Sequence, residues 1–384
     1  MYAQINVRDM SKHLVYLCDW LPPDFGAVGQ YSILFARAWA QAGWDVDLVG
    51  LSSEVEKMEE EVVGPGRLRI HRIYAVKYNK NRLLARSLWT LRTNIALLWR
   101  ARAVLRQADT ILFTGSPPFL VHFIVPLNLV LHKQLIYRIT DFHPECLMAE
   151  KRHSGIGLRL LYRLTIFWRR QVHQFEALGH DQMRRLLDIG IPVERIVLKR
   201  DPSPVTFAAP EVIPPPEPLD GVGTILYSGN WGVAHDHRTF IEGYRRYRES
   251  GGRLVLWLNA TGAKVDAIIA ELCAAHLPVR RGHLVPLEEL AALLRSADVH
   301  LITLRDEFVG FVLPSKVYAC IESAKPILYV GSRESDVHGL CAERLSQKDY
   351  RQVGCGDTEG VVEALRYFER QVVRACSEGQ GGSK

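Results

Sequence analysis

The segment DPSPVTFAAPEVIPPPEPL, residues 201–219, contains seven prolines and divides the chain into two parts of similar length. Proline fixes φ and lacks a backbone N–H donor, so this stretch is predicted to be neither a helix nor a central strand. An extended linker between two domains is the expected structure. The length of 384 residues also exceeds what one ordinary hydrophobic core supports, which favours two domains.

Apolar runs typical of buried strands alternate with helical runs on both sides of this segment. Before it, strands are predicted at 13–18, 44–50, 110–113 and 135–139, with a helix at 29–42. After it, strands are predicted at 223–227, 253–258, 299–303 and 326–330, and helices at 235–249, 263–276, 287–295 and 315–323. Such alternation predicts an α/β fold with two Rossmann-like, doubly wound parallel sheets.

The net charge of +6 is divided unevenly between the two parts. Residues 1–200 carry 28 basic and 18 acidic side chains, whereas residues 201–384 carry 20 and 24. We therefore expect an N-terminal Rossmann-like domain at 1–200, a linker at 201–220 and a C-terminal Rossmann-like domain at 221–355. Residues 356–384 are expected to form a C-terminal helix that packs back on the first domain and ends in a flexible tail.

Several function classes are disfavoured by composition. The seven cysteines show no CxxC or Cys/His ligand spacing, which indicates reduced thiols in a cytoplasmic protein and no zinc site. Charged Arg8, Asp9 and Lys12 interrupt any apolar signal-peptide core. The most apolar stretch, residues 119–131, is too short to span a bilayer.

The basic first half predicts an anionic partner. No nucleic-acid motif accompanies the charge, so a membrane surface or a phosphate-bearing acceptor is favoured over nucleic acid. Residues 82–102 and 158–170 interleave arginine with leucine and aromatic residues in helix-like patterns. Such helices bind anionic membrane surfaces. They also occur where an apolar face packs on a sheet and the arginines lie in water.

Ligands of doubly wound sheets bind at the carboxyl ends of the strands, where four segments stand out here. Loop 22–30 has Gly26 and Gly29 ahead of a helix, and loop 227–236 has Gly229 and Gly232 in the matching place. Glycines allow a close backbone approach, and helix N-termini offer free N–H groups to an anion. The second loop is not a GxGxxG fingerprint, so a nucleotide-sugar diphosphate fits it better than NAD. An ordinary βα turn is the alternative for the first.

The third and fourth segments carry the titratable groups. Pro314 and Ser315 can open a helix, and Lys316 in its first turn opposes the helix dipole, which suggests an adjacent anion. Asp141 and His143 follow a predicted strand and point the same way in an extended chain, where they can hold a hydroxyl or transfer a proton. A solvated lysine and a loop-bonding histidine are the structural alternatives.

Taken together, these segments resemble the family-4 retaining glycosyltransferases of the GT-B fold, especially the bacterial O-antigen, capsule and exopolysaccharide branch. The resemblance rests on four stretches in the expected order: 114–118 (TGSPP) with 141–145 (DFHPE), 227–236 (YSGNWGVAHD), 314–318 (PSKVY) and 325–327 (KPI). It covers nearly the whole chain.

The resemblance implies two domains that face each other across a cleft, and metal-independent hexosyl transfer with retention. The donor would be a nucleotide-sugar, with UDP or GDP expected and no further cofactor, and the acceptor a saccharide or polyprenyl-pyrophosphate-linked saccharide. The implied location is cytoplasmic, with peripheral attachment to the inner face of the plasma membrane. The implied catalytic residues are Asp141, His143 and Lys316; the donor-binding ones are Gly26, Gly29, Gly229, Asn230, Trp231, Gly232, Pro314, Ser315 and Glu322; the acceptor-side ones are Ser116 and Glu145.

The chain departs from the family pattern on the donor side. The glutamate expected to hold the nucleotide ribose is replaced by Ala319, and its companion by Phe311. Glu322 lies one helical turn beyond Ala319 and is the expected substitute. These departures support an alternative, a catalytically silent GT-B protein that scaffolds a partner enzyme. A sugar-nucleotide epimerase is disfavoured because its carboxylate and histidine pattern is not found.

Overall fold

A computed structural model describes residues 13–24, 26–54, 56–76, 83–151, 155–207, 213, 221–262 and 265–381. The chain divides into two compact units, Met1–Arg200 and Asp201–Lys384. The division falls where the proline-rich linker was predicted to begin. Most of that linker, residues 208–212 and 214–220, lies outside the described residues.

The first unit is built on an eight-stranded sheet with the order β3-β4-β2-β1-β5-β6-β7-β8. All neighbouring strands are parallel except β3, which pairs antiparallel with β4. The strands are β1 (His13–Trp20), β2 (Asp45–Ser52), β3 (Lys57–Val63), β4 (Gly66–Tyr74), β5 (Thr110–Thr114), β6 (Gln134–Ile139), β7 (Gln174–Ala177) and β8 (Ile196–Leu198).

Helices connect the parallel strands of this sheet, as crossover connections require. They are α1 (Ala27–Gln41), α2 (Leu83–Gln107), α3 (Val121–Leu131), α4 (Glu145–Glu150), α5 (Ile156–Arg169) and α6 (His180–Asp188).

A buried ion cluster ties β1, β2 and β4 together. The Asp47 carboxylate on β2 is fully buried and accepts two hydrogen bonds from Arg69, at 2.8 and 2.7 Å. His13 and His71 each approach the same carboxylate at 2.7 Å. Although burial alone would raise the pKa of Asp47, the cationic partners hold it far below its usual range. A charged residue inside an apolar strand is thus satisfied by its neighbours across the sheet.

The second unit contains a six-stranded, wholly parallel sheet with the order β11-β10-β9-β12-β13-β14. Its strands are β9 (Gly223–Asn230), β10 (Leu254–Thr261), β11 (Val279–Arg281), β12 (Val299–Thr303), β13 (Ile327–Val330) and β14 (Tyr350–Val353). Its helices are α7 (Arg238–Glu249), α8 (Val265–Ala274), α9 (Leu287–Ser296), α10 (Lys316–Glu322), α11 (Asp336–Arg344) and α12 (Thr358–Gly381).

The start of α7 differs from the predicted helix at 235–249. The Asp236 carboxylate accepts hydrogen bonds from the backbone N–H and the hydroxyl of Thr239, at 3.1 and 2.5 Å. These bonds satisfy a first-turn donor, so the helix begins at Arg238 and residues 235–237 belong to the loop. His235 is therefore a loop residue.

The C-terminal helix α12 contributes to the core of the second unit, and its expected packing on the first domain stays a prediction. Within its own unit it packs on α7 and β14, and Val361, Leu365 and Phe368 on its inner face lie in the core. Contact is close because α7 presents Gly243, where a Cβ would lie 2.5 Å from Val361 Cβ. Among the described residues, no helix of either unit is long and apolar enough to cross a membrane.

Candidate functional site

The glycine loop Gly229–Gly232 begins with the last two residues of β9 and lies at the carboxyl edge of the second sheet. Gly229 has φ of +114°, a backbone conformation that a residue with a side chain rarely adopts. A Cβ at this position would lie 3.8 Å from both Cε and Nζ of Lys316. The structure therefore brings together two groups that lie 87 positions apart in the sequence.

Lys316, the first residue of α10, turns its side chain into the second unit. The residue is partly exposed, but its Nζ atom is inaccessible to solvent and has no hydrogen-bond partner among the described residues. The ammonium lies 3.2 Å from the centroid of the Tyr227 ring. Burial lowers the pKa of Lys316 to about 7. A buried cation with only an aromatic face for compensation is matched to bind an anion.

Trp231 was predicted to contact the donor, but the structure places its side chain in the core. The ring is 2% exposed and stacks on Tyr227 with a centroid separation of 4.2 Å. Its backbone N–H donates to the Thr261 carbonyl at 2.7 Å, which is why the ring folds inward. Asn230 is exposed, and its carbonyl accepts the Tyr227 hydroxyl at 3.1 Å. Gly229, Asn230 and Gly232 keep solvent exposure on either side of the buried Trp231.

His235 lies beside this loop but adds no positive charge to it. Its Nδ1 is 2.6 Å from the Thr303 carbonyl, so this nitrogen carries the proton and donates. Burial and the neighbouring Lys316 charge lower the pKa of His235 to about 3. The imidazole is therefore neutral at physiological pH, and Lys316 supplies the positive charge at this edge of the glycine loop.

The residues ahead of α10 are placed at the same edge by a short turn. The Pro314 carbonyl accepts the Val317 N–H at 3.1 Å, and α10 begins at Lys316. Ser315 occupies the N-cap position, but its hydroxyl makes no capping hydrogen bond. Pro314 and Ser315 thus open the helix as predicted, and the helical φ and ψ of Ser315, −60° and −20°, explain why its hydroxyl does not cap the first turn.

Glu322 lies at the exposed edge of α10. Ala319 on α10 is buried, whereas the Glu322 side chain is half exposed and lies 3.6 Å from Arg344 of α11. Three residues advance a helix by about 300°, so the two residues lie about 60° apart around the helix axis. The structure shows an exposed ion pair between Glu322 and α11, and the ribose-holding role of Glu322 stays a prediction.

In the first unit, three polar residues meet at the carboxyl edge of the sheet. Asp19 is the penultimate residue of β1, whereas Ser116 follows β5 and Asp141 follows β6. The Ser116 hydroxyl donates to Asp19 Oδ2 at 2.5 Å, and the buried Asp19 Oδ1 has no hydrogen-bond partner among the residues that the structure describes. Gly115 allows this convergence, since a Cβ there would lie 2.7 Å from the Asp141 carbonyl oxygen.

The two carboxylates of this cluster are electrostatically coupled. Burial raises the pKa of Asp19 to about 6. Burial and, to a smaller extent, the negative charge of Asp19 raise the pKa of Asp141 to about 6. Groups poised near neutrality can accept or release a proton during a reaction. The sequence analysis missed Asp19, although a lone acid at the end of the apolar run LVYLC is a usable signal.

Glu145 was assigned to the acceptor side, but the structure commits its carboxylate to the core. Glu145 is 5% exposed, and both of its oxygens accept hydrogen bonds from Arg169 of α5, itself fully buried. Arg169 also donates to the His143 carbonyl at 3.1 Å. The ion pair thus fixes the backbone that carries His143, whose ring lies 5.8 Å from that of Phe119.

The first glycine loop is shaped by packing inside the first unit. A Cβ at Gly29 would lie 1.9 Å from the Trp20 carbonyl oxygen, so α1 can approach β1 this closely only with glycine there. Gly26 precedes α1 in an extended conformation with φ of −174°, and its nearest neighbour would be 3.7 Å from a Cβ. The packing of α1 on β1 therefore requires glycine at position 29, whereas a Cβ could be accommodated at position 26.

Comparison with known proteins was made at the level of sequence and of structure. No family model matches the chain. A probable glycosyltransferase of Pseudomonas aeruginosa, WbjE, is 24% identical over 287 residues, which cover 69% of this chain and 68% of WbjE.

Solved structures share the fold at low sequence identity. Anabaena HepE in complex with UDP and glucose has a TM-score of 0.60 and 8% identity, covering 92% of this chain and 89% of HepE. The lipopolysaccharide outer core galactosyltransferase WaaB has a TM-score of 0.55 and 12% identity, covering 94% and 91%. An E. coli trehalose-6-phosphate structure bound with UDP-2-fluoroglucose has a TM-score of 0.58 and 12% identity, covering 94% and 95%. The chain thus has the α/β, GT-B fold of glycosyltransferases and is similar in sequence to a probable glycosyltransferase.

Proposed function

We propose that this protein is a retaining, metal-independent hexosyltransferase. It would move a sugar from a UDP- or GDP-sugar to a saccharide or polyprenyl-pyrophosphate-linked acceptor in surface polysaccharide synthesis. The observation that carries the proposal is the buried Lys316 ammonium, which has no hydrogen-bond partner among the described residues and lies against Gly229. The probable activity of WbjE and the UDP-containing ligands of two structural neighbours support it.

Departure of the nucleoside diphosphate is the step that this arrangement would assist. When the anomeric C–O bond breaks, negative charge grows on the diphosphate oxygens and must be compensated. Lys316 would donate to these oxygens, and the backbone of Gly229–Gly232 would lie along the diphosphate. Since a fixed ammonium supplies the charge that a divalent cation supplies elsewhere, the proposal requires no metal.

The first unit would act on the acceptor. With a pKa of about 6, Asp141 is ionised at neutral pH and can accept the proton of an attacking hydroxyl. Ser116 and Asp19 would hold the same substrate or tune Asp141, and His143 would contact the acceptor or the sugar. A polyprenyl-linked acceptor resides in a membrane, so the proposal includes a cytoplasmic protein attached peripherally to the membrane's inner face.

A donor screen followed by product analysis tests the proposal. Melting temperatures would be measured with UDP-, GDP- and dTDP-sugars, because a ligand that binds the folded state raises the melting temperature by mass action. The donor that binds would then be incubated with membrane lipid extract, and the anomeric configuration of the product would be read by NMR. We expect stabilisation by one nucleotide series and a product that keeps the donor's configuration; an inverted product would overturn retention.

The same measurements distinguish the silent alternative, which Ala319 and the ion-paired Glu322 favour. A silent GT-B protein would bind a donor, yet release no nucleoside diphosphate above background with any acceptor extract. Binding and turnover together would exclude it.

A further inference from the structure

Exposed apolar side chains concentrate on three helices of the first unit. Of the 21 large apolar side chains that are exposed among the described residues, ten lie on α2, α3 and α5. Helix α3 contacts both of the others, and His122 of α3 lies 2.9 Å from the Thr165 hydroxyl of α5. Contiguous exposed apolar surface of this kind commonly marks an interaction site.

The outward face of α5 is apolar by its own spacing. Ile156, Leu160, Leu164 and Phe167 follow one another at intervals of four, four and three residues, which places them on one face of the helix. Their exposed fractions run from 44% to 78%. The opposite face carries Thr165 and Arg169, both fully buried.

Helix α2 repeats the arrangement. Leu88, Leu91, Ile95 and Trp99 share one face, and each is at least 45% exposed. Leu97, on another face, is fully buried. Both helices therefore carry apolar side chains on the face turned to solvent in addition to those packed in the core. The interpretation in which the apolar face packs inward and only arginines meet water does not account for either helix.

The charged side chains that these three helices contribute are all basic. Helices α2, α3 and α5 contain no aspartate or glutamate, whereas α2 and α5 contain eight arginines. Arg159 and Arg163 lie on the exposed apolar face of α5, and Arg92 and Arg106 on that of α2. None of these four forms an ion pair with any residue that the structure describes.

We propose that the exposed faces of α2 and α5, the α2/α5 face, dock this protein on an anionic lipid bilayer. Apolar side chains would enter the acyl boundary while the arginines meet lipid phosphates. A second copy of this chain fits less well, because a twofold interface would set the same unpaired arginines against each other. The inference deepens the proposed function by naming the surface that brings the enzyme to a lipid-linked acceptor.

Vesicle co-sedimentation tests this inference without any enzymatic turnover. The full chain would be mixed with phosphatidylcholine vesicles, with or without phosphatidylglycerol, at low and high salt. The charge variant is Arg159→Gln/Arg163→Gln, and its matched control is Arg366→Gln/Arg370→Gln on α12, with the same change in net charge.

Two further variants address the apolar part. Leu160→Ser/Phe167→Ser removes side chains from the α2/α5 face, and Val62→Ser/Val193→Ser removes apolar side chains that are at least as exposed elsewhere in the first unit. Circular dichroism melting would verify that all variants are folded, as expected for exposed positions.

We expect binding that requires the anionic lipid and falls with salt. The charge variant should bind roughly thirtyfold more weakly, at about fivefold per arginine, and the apolar variant at least about tenfold more weakly. Both controls should bind like the wild type. Equal binding by all variants, or no binding to anionic vesicles, would overturn the inference. So would a wild-type dimer that the variants convert to monomers while their vesicle binding stays unchanged. Failure of the donor screen would leave vesicle binding intact, so the two proposals fail separately.

Discussion

Replacing Lys316 by methionine should have opposite effects on stability and on ligand binding. Burial lowers the pKa of this lysine to about 7, from 10.5 in an exposed chain. At pH 7 the cost of placing the group in the folded protein is therefore about 4 kcal/mol. The ammonium lies 3.2 Å from the centroid of the Tyr227 ring, and the folded pKa already reflects any contact that favours the charged form. Methionine keeps the length of the stem and removes the charge, so Lys316→Met should stabilise the free protein by up to about 4 kcal/mol.

The stability difference has a defined pH dependence. Because the folded pKa lies below the unfolded one, the unfolded chain binds more protons between pH 7 and 10.5. Wild-type stability should therefore rise with pH across this window, and the advantage of Lys316→Met should shrink. Calorimetry at pH 7 should show a melting temperature up to roughly 8–16 °C above that of the wild type. Lys348→Met removes an exposed charge from the same unit and should change little.

Binding should change in the other direction. A diphosphate favours the protonated lysine, so wild-type affinity for UDP should fall by up to about tenfold per pH unit above pH 7. Lys316→Met should bind UDP roughly ten- to hundredfold more weakly at pH 7, and without this pH dependence. If the variant were less stable than the wild type and kept full affinity for UDP, Lys316 would be a structural residue and this reasoning would be refuted.

Three further substitutions test other parts of the structure. Gly29→Ala should destabilise the protein by roughly 1–3 kcal/mol through overpacking, whereas Gly26→Ala should be nearly neutral; equal melting temperatures would contradict the packing argument. Arg169→Met should cost about 3–5 kcal/mol in denaturant unfolding, because it strands a buried carboxylate. Asp19→Asn removes a neighbouring charge, so the pKa of Asp141 should fall and the acidic limb of the pH–rate profile should move to lower pH. If this limb did not move, the charge of Asp19 would not control the ionisation of Asp141.

Eight parallel strands in the middle of the two sheets could be predicted from sequence, because their burial imposes continuous apolar runs. Strand β12, for example, has the predicted bounds Val299–Thr303. The parallel strands β4, β7, β8, β11 and β14 were missed, since they are short or carry arginines. The β3–β4 hairpin was missed because KMEEEVV carries three glutamates, which disfavour strands. In the structure, Glu60 pairs with Arg67 and Glu59 with Arg72 across the two strands. Such cross-strand compensation depends on pairing that local patterns do not contain.

The candidate site was predictable where backbone geometry determines residue type. Gly229 has a positive φ inside a strand, and Lys316 places a positive charge at the N-terminus of a helix. Both are unfavourable locally, and the structure brings the two residues together. Carboxylates were harder to assign, because their role depends on distant partners. Glu145 pairs with Arg169 and Glu322 with Arg344, each more than twenty positions away. Motif position alone does not reveal either of these ion pairs.

The most direct test of the glycosyltransferase assignment is acceptor-dependent release of nucleoside diphosphate from the donor that the thermal screen selects. The assay would compare the wild type with Lys316→Met and Lys348→Met in the presence of membrane lipid extract. We predict release by the wild type and the Lys348 control, and a rate at least tenfold lower for Lys316→Met. Donor binding without release above background by the wild type would contradict the assignment.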